Sequence, residues 1–152
     1  MKLAEALILR ADCQKRIEQL RQRLTKSAQI QEGETPPENP QTLLAELETA
    51  VSELTGLIQR INRTNSQTEL ESGMMLSDAL ARRDTLILKR SVYESLMNAA
   101  SYSQSRYSRT EIKVLSTVNV AEIQAQIDRM ARDYRELDTR IKEANWNTEL
   151  LD

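Results

Sequence analysis

The stretch LAELETAVSELTGLIQRI, residues 44–61, decides the fold. Its aliphatic residues recur every three or four positions, which places them on one face of an α-helix. This spacing is typical of helices that pack along their length. Asn39 and Pro40 suit the N-cap and the first position of this helix. The predicted apolar seam consists of Leu44, Leu47, Val51, Leu54, Ile58 and Ile61.

The same periodicity predicts three further helices. A first helix covers residues 3–24, a third covers 76–100 with Ser77 and Asp78 as its cap, and a fourth begins after Asn119. Residues 66–73 are predicted as a linker, and the β-branched residues near 112–118 predict one short extended segment. We therefore predict an all-α fold: an elongated antiparallel bundle, or coiled-coil hairpins, of four main helices. It forms a single helical domain over residues 1–152.

The third helix has a broader apolar surface than the others. Its aliphatic side chains spread over more than one face, so the helix is expected to be buried on two sides. We expect a second copy of the chain to cover part of this surface and predict a homo-oligomer. The residues concerned are Leu80, Leu86, Ile87, Leu88, Val92, Leu96 and Met97.

The composition excludes most kinds of catalytic site. The chain has no His and one Cys, so it can form neither a Ser-His or Cys-His pair nor a His-ligated metal site. Three glycines cannot supply a phosphate-binding loop of the usual kind. Cys13 falls on the apolar face of the first helix and is expected to be a buried small side chain rather than a reactive thiol. We predict no catalytic residues, no cofactor and no metal.

Charge and hydropathy bear on compartment and partners. No apolar run approaches the roughly 20 residues that a membrane-spanning helix needs, so no membrane insertion is expected. A single Cys excludes an internal disulfide, which favours the cytoplasm. The net charge is −2, and its sign alternates from segment to segment, which disfavours a nucleic-acid surface.

Asparagines, an arginine and the single tryptophan meet at one end of the predicted bundle. Amide and guanidinium groups can donate hydrogen bonds to a carboxylate or phosphate, and an indole offers a stacking face. The simpler alternative is that the asparagines cap helix ends and the tryptophan packs over the end of the bundle. The candidate ligand or partner site is Asn62, Arg63, Asn65, Asn145 and Trp146.

A second candidate is the connection between the third and fourth helices. Basic and aromatic residues alternate there with serines, a pattern that can dock a protein partner or, less favourably here, hold a nucleic acid. It can equally be an ordinary polar connection. The candidate docking loop comprises Tyr102, Arg106, Tyr107 and Arg109.

Four strings of the sequence carry a resemblance to a family. They are MKLAEAL (1–7), INRTN (61–65), RYSRTEI (106–112) and YRELDTRIKEANW (134–146). They resemble an uncharacterised family of bacterial helical proteins, some members of which are labelled septicolysin. The label implies a thiol-activated, membrane-damaging toxin. The chain's own residues, with one Trp and one thiol on an apolar helix face, do not predict that activity.

Function is predicted only as a class. The first hypothesis is a non-enzymatic interaction or structural protein that self-associates, with a further protein partner possible. The alternative is a small-ligand or phosphate-binding protein that uses the cluster at residues 62–65 and 145–146. An enzyme is the third and least favoured class, because no catalytic arrangement is visible.

Overall fold

A computed structural model describes residues 1–101 and 112–152. Within these ranges the chain forms four helices, of 24, 28, 26 and 28 residues, and one small two-stranded sheet. The predicted all-α fold with four main helices is confirmed. In chain order the elements are α1 (Leu3–Lys26), α2 (Pro40–Gln67), β1 (Glu69–Glu71), β2 (Met74–Met75), α3 (Leu76–Ser101) and α4 (Val120–Asn147).

Asparagine side chains cap the starts of α2 and α4. The Asn39 side chain accepts a hydrogen bond from the Gln41 amide at 2.9 Å, and Asn119 accepts one from the Glu122 amide at 3.2 Å, as predicted. The start of α3 differs from the prediction. The helix begins at Leu76, and Asp78 in its first turn reaches back to the Met75 amide at 3.2 Å instead of standing before the helix.

The region between α2 and α3 is more ordered than the linker predicted from the sequence. Helix α2 continues to Gln67, and the hairpin of β1 and β2 follows directly. Gly73 lies in the turn between the two strands with φ +81°, a conformation that side chains with a Cβ rarely adopt. By contrast, residues 112–118, where an extended segment was expected, form neither helix nor strand.

The chain divides into two compact units. The first comprises Met1–Glu69 and Glu143–Asp152, and the second comprises Leu70–Lys142. The prediction of a single domain stays a prediction. In the first unit α1 and α2 pack as an antiparallel hairpin around a core of Cys13, Leu20, Leu43 and Ala50.

The apolar seam of α2 differs from the predicted one by one residue at two positions. Leu43 and Ala50 are buried, whereas Leu44 and Val51 are exposed. Three other predicted members are buried or pack against the core: Leu47, Leu54 and Ile61. The small Ala50 lets the two helices approach closely, and the Cys13 thiol donates a hydrogen bond to the Ala50 carbonyl at 3.1 Å. Cys13 is therefore a buried small side chain, as its position on α1 predicted.

In the second unit α3 and α4 run antiparallel. Arg83 contacts Asp138 at 2.9 Å, and the Arg90 guanidinium lies 5.8 Å from the centre of the Tyr134 ring. A later residue of α3 therefore contacts an earlier residue of α4. The contacts lie seven residues apart on α3, so they define the side of this helix that faces α4.

Candidate functional site

The outward side of α3 carries an apolar stripe. At 3.6 residues per turn, Val92 lies roughly 180° around the helix from Arg83, on the side opposite α4. Leu88 is 66% exposed and Val92 is 61% exposed. These are high values for aliphatic side chains in the middle of a long helix. We call this surface the outer stripe; it consists of Ala81, Leu88, Val92, Leu96 and Ala99, all exposed.

Opposite charges border the outer stripe. Asp84 lies along one edge and is largely exposed. Arg82 and Lys89 lie along the other edge, and both are exposed. The Lys89 ammonium lies 5.9 Å from the centre of the Tyr93 ring, which holds its aliphatic stem close to the helix surface. An apolar surface with one acidic and one basic edge has the composition of a helix–helix interface.

The apolar surface extends past the end of the stripe. Leu96 and Ala99 line an open groove of about 310 Å³ whose other wall is formed by residues 114–118. Val114 and Leu115 in this wall are exposed. Single exposed apolar residues are ordinary, but a contiguous group of them marks an interaction surface.

The five residues of the predicted ligand site lie in the first unit. Asn62, Arg63 and Trp146 are exposed, and Asn65 and Asn145 are half-buried. Asn62 and Asn65 are inside α2, which ends only at Gln67, so they are not the terminal caps that the sequence suggested. Trp146 is 55% exposed, so the alternative in which it closes the end of the bundle as a buried plug is wrong.

Residues 148–152 form a tail that connects the two halves of this predicted site. The Leu151 amide donates a hydrogen bond to the Thr64 hydroxyl at 3.0 Å, and the Leu3 amide donates one to the Thr148 carbonyl at 2.9 Å. Arg60 donates to the Leu151 carbonyl at 3.1 Å. The tail thus places the segments 62–65 and 145–148 at the same end of the hairpin, the arrangement on which the candidate site depends.

Sequence reasoning missed the residue that makes this contact. Thr64 is fully buried between Arg63 and Asn65, and its hydroxyl also donates to the Arg60 carbonyl at 2.8 Å. Its position on the same face as Ile61 was the available signal. The prediction named its polar neighbours instead, of which Arg63 is exposed and Asn65 is half-buried.

The predicted docking loop, with Tyr102, Arg106, Tyr107 and Arg109, lies outside the residues that the structure describes. Residues 1–101 and 112–152 contain no group of three or more acidic, His or Cys side chains able to hold a metal ion. Over the same ranges, no helix has the length and apolar character needed to cross a membrane.

Comparison with known proteins places the chain in a family. The model of a family of unknown function, DUF6847, matches residues 10–150. The chain belongs to this family. The predicted resemblance to an uncharacterised family is thereby confirmed. The comparison does not support the septicolysin label. No curated protein matches the chain.

A solved structure agrees with the fold. The DUF6847 chain superposes with a TM-score of 0.93 on the crystal structure of a functionally unknown conserved protein from Corynebacterium diphtheriae. The two are 46% identical, and the alignment covers 99% of each chain. At this identity the neighbour shares the fold over its whole length, and its description assigns no activity.

Proposed function

We propose that this protein is a non-enzymatic helical interaction protein whose copies associate through the outer stripe of α3. The observation that carries the proposal is the exposure of Leu88 and Val92, 66% and 61%, on the side of α3 opposite α4. Burying an aliphatic side chain stabilises an association by about 1.5–3 kcal/mol. Leu88 and Val92 lie one turn apart, so a second apolar surface that covers α3 here would bury both side chains at once.

Charge supports a second copy as the occupant of this surface. The stripe has an acidic edge at Asp84 and a basic edge at Arg82 and Lys89. The surface that complements it must be apolar in the middle and carry both signs of charge at its edges. The outer stripe itself has that composition, so a symmetric pairing of identical surfaces satisfies it. The proposed compartment is the cytoplasm, since the single buried thiol can form no internal disulfide.

The mass in solution tests the proposal. Sedimentation equilibrium at micromolar concentration should give about twice the 17.4 kDa of the monomer. The double variant Leu88→Ser/Val92→Ser should sediment as a monomer and retain the helical circular dichroism of the wild type. A matched control, Leu44→Ser/Val51→Ser, removes two exposed aliphatic side chains from α2 and should remain associated. A monomeric wild type, or dissociation by the control variant alone, would refute the proposal.

The second candidate function is binding of a small anion at the predicted ligand site. It is favoured by the exposure of Asn62, Arg63 and Trp146 at the end of the hairpin where the tail joins α2. Trp146 is the chain's single Trp, so its fluorescence reports on this site. Titration with inorganic phosphate should change the emission of the wild type and not that of Arg63→Ala. Arg132→Ala, which removes an exposed arginine from α4, is the control and should respond like the wild type.

A further inference from the structure

We infer that two copies pair through α3 in parallel and in register, with Asp84 of each copy beside the partner's Lys89. The inference rests on the proposed function, because it specifies the direction and register of the same contact. It is drawn from the spacing of the residues in the outer stripe and from the charges at its two edges.

The spacing gives the positions in a heptad. If Leu88 occupies position d, then Val92 four residues later occupies position a. Ala81 and Ser95 fall on d, and Thr85 and Ala99 fall on a, all on the outward side of α3. Parallel two-stranded pairing is favoured by a β-branched residue at a together with Leu at d. Val92 and Leu88 supply this combination in the middle of the stripe.

The flanking charges distinguish parallel from antiparallel pairing. In this register Asp84 falls on position g, and Arg82 and Lys89 fall on position e. In a parallel pair, the residue at position g of one helix lies beside the residue at position e in the next heptad of the partner helix, which is five residues later in the sequence. This geometry brings Asp84 beside the partner's Lys89. The two-fold axis makes this contact twice. In an antiparallel pair equivalent edges meet, so the basic edge with Lys89 would lie against the partner's basic edge.

Both charged side chains are exposed and can form this pair. Asp84 is largely exposed, and its carboxylate lies at 3.8 Å from Arg83, beyond the length of a hydrogen bond. Lys89 is exposed, and its ammonium makes only a weak contact with the Tyr93 ring within the described part of the chain. The other pairs of this type in the described part of α3 join Ser77 with the partner's Arg82 and Ser91 with the partner's Leu96, and neither is an ion pair. Direction and register therefore depend on Asp84 and Lys89.

Charge reversal tests the register. Asp84→Lys and Lys89→Glu should each weaken association roughly tenfold, because each replaces two attractive contacts with two repulsive ones. The double variant Asp84→Lys/Lys89→Glu should regain the affinity of the wild type. An equimolar mixture of the two single variants should pair better than either alone. A double variant as weak as the single variants would overturn the inference.

Disulfide trapping tests the direction, in a Cys13→Ala background that retains the wild-type circular dichroism. Ser95→Cys, at position d, should crosslink to itself in a parallel in-register pair. Ser91→Cys, at position g, should crosslink only in an antiparallel pair centred on that residue. Dimers trapped by Ser91→Cys and not by Ser95→Cys would overturn the parallel pairing while leaving the proposed self-association intact. A wild type that stays monomeric would refute both.

Discussion

The Arg83 guanidinium on α3 donates a hydrogen bond to the Asp138 carboxylate on α4 over 2.9 Å. Lys142, one turn further along α4, approaches the same carboxylate at 2.8 Å. The Asp138 side chain is only 15% exposed. Hydrogen bonding from Lys142 first, and from Arg83 as well, holds the pKa of Asp138 below its usual value against the opposing effect of burial. This contact fixes α4 against α3 on the side opposite the outer stripe.

Removing the charge of Asp138 should therefore destabilise the fold. Asp138→Asn leaves the guanidinium of Arg83 half-buried without its anionic partner, at an expected cost of about 1–3 kcal/mol. Urea unfolding at a fixed protein concentration measures this cost. Asp133→Asn removes an exposed carboxylate from the same helix and should change the free energy of unfolding by less than about 0.5 kcal/mol. Equal effects of the two substitutions would contradict the assigned role of Asp138.

The lowered pKa of Asp138 also predicts a dependence of stability on pH. Its folded pKa lies below the unfolded value of about 3.9, so the carboxylate contributes its full stabilisation above that pH. The contribution is lost as the pH falls through the folded pKa. The difference in unfolding free energy between wild type and Asp138→Asn should stay constant from about pH 7 to 5 and shrink below about pH 4. If the difference in unfolding free energy instead grew as the pH fell, it would contradict a lowered pKa of Asp138.

Periodicity predicted the four helices because each buries one face against a neighbour, and a buried face requires aliphatic residues at regular spacing. It did not predict which of two adjacent rows on α2 faces α1. Hydrophobicity favours Leu44 and Val51, whereas the structure buries Leu43 and Ala50. The decisive factor is the close approach of α1 at Cys13, a property of the pair of helices and not of α2 alone.

Substitutions at two adjacent residues of α2 test this placement. Ala50→Val adds two methyl groups where Cys13 contacts the backbone and should cost about 1–3 kcal/mol through overpacking. Val51→Ala removes the same two methyl groups from an exposed position and should cost less than about 1 kcal/mol. Thermal melts of the two variants give the comparison. A larger loss for Val51→Ala would restore the seam that the sequence predicted.

The candidate site was only partly accessible to sequence reasoning. Helix order places residues 62–65 and 145–148 at the same end, and the structure has them there. The hydrogen bonds that connect them come from the tail residues 148–152, which have no periodic pattern and so gave no signal. The exposure of Leu88 and Val92 was likewise hidden, because a sequence shows which residues are apolar but not which of them a neighbour covers.

Trp146 should contribute less to stability than a core aromatic residue. The side chain is 55% exposed, so Trp146→Ala should cost roughly 1 kcal/mol instead of the 3–5 kcal/mol typical of a fully buried tryptophan. Leu137→Ala, at a buried position on the same helix, should cost about 2–5 kcal/mol. The wild-type fluorescence should also resemble that of indole in water. A blue-shifted emission that shifts to the red on unfolding would contradict the exposure.

Removing either of two buried hydroxyl groups should change the free energy of unfolding, but in opposite directions. Ser27, the C-cap of α1, is buried, and its hydroxyl has no hydrogen-bond partner in the described part of the chain. Thr64 is also buried, but its hydroxyl both donates to the Arg60 carbonyl and accepts from the Leu151 amide. A buried polar group without a partner costs about 1–3 kcal/mol, whereas one with partners stabilises.

Ser27→Ala should therefore leave the free energy of unfolding unchanged or raise it by up to about 1 kcal/mol. Thr64→Val keeps the shape of the side chain, leaves the Leu151 amide without its acceptor, and should lower the free energy by about 1–2 kcal/mol. Urea unfolding of both variants measures the direction of each change in the free energy of unfolding. Hydrogen exchange adds a local readout, because the Leu151 amide should lose protection in Thr64→Val and keep it in Ser27→Ala. Loss of stability in Ser27→Ala with no effect in Thr64→Val would show that the tail is not held by this hydroxyl.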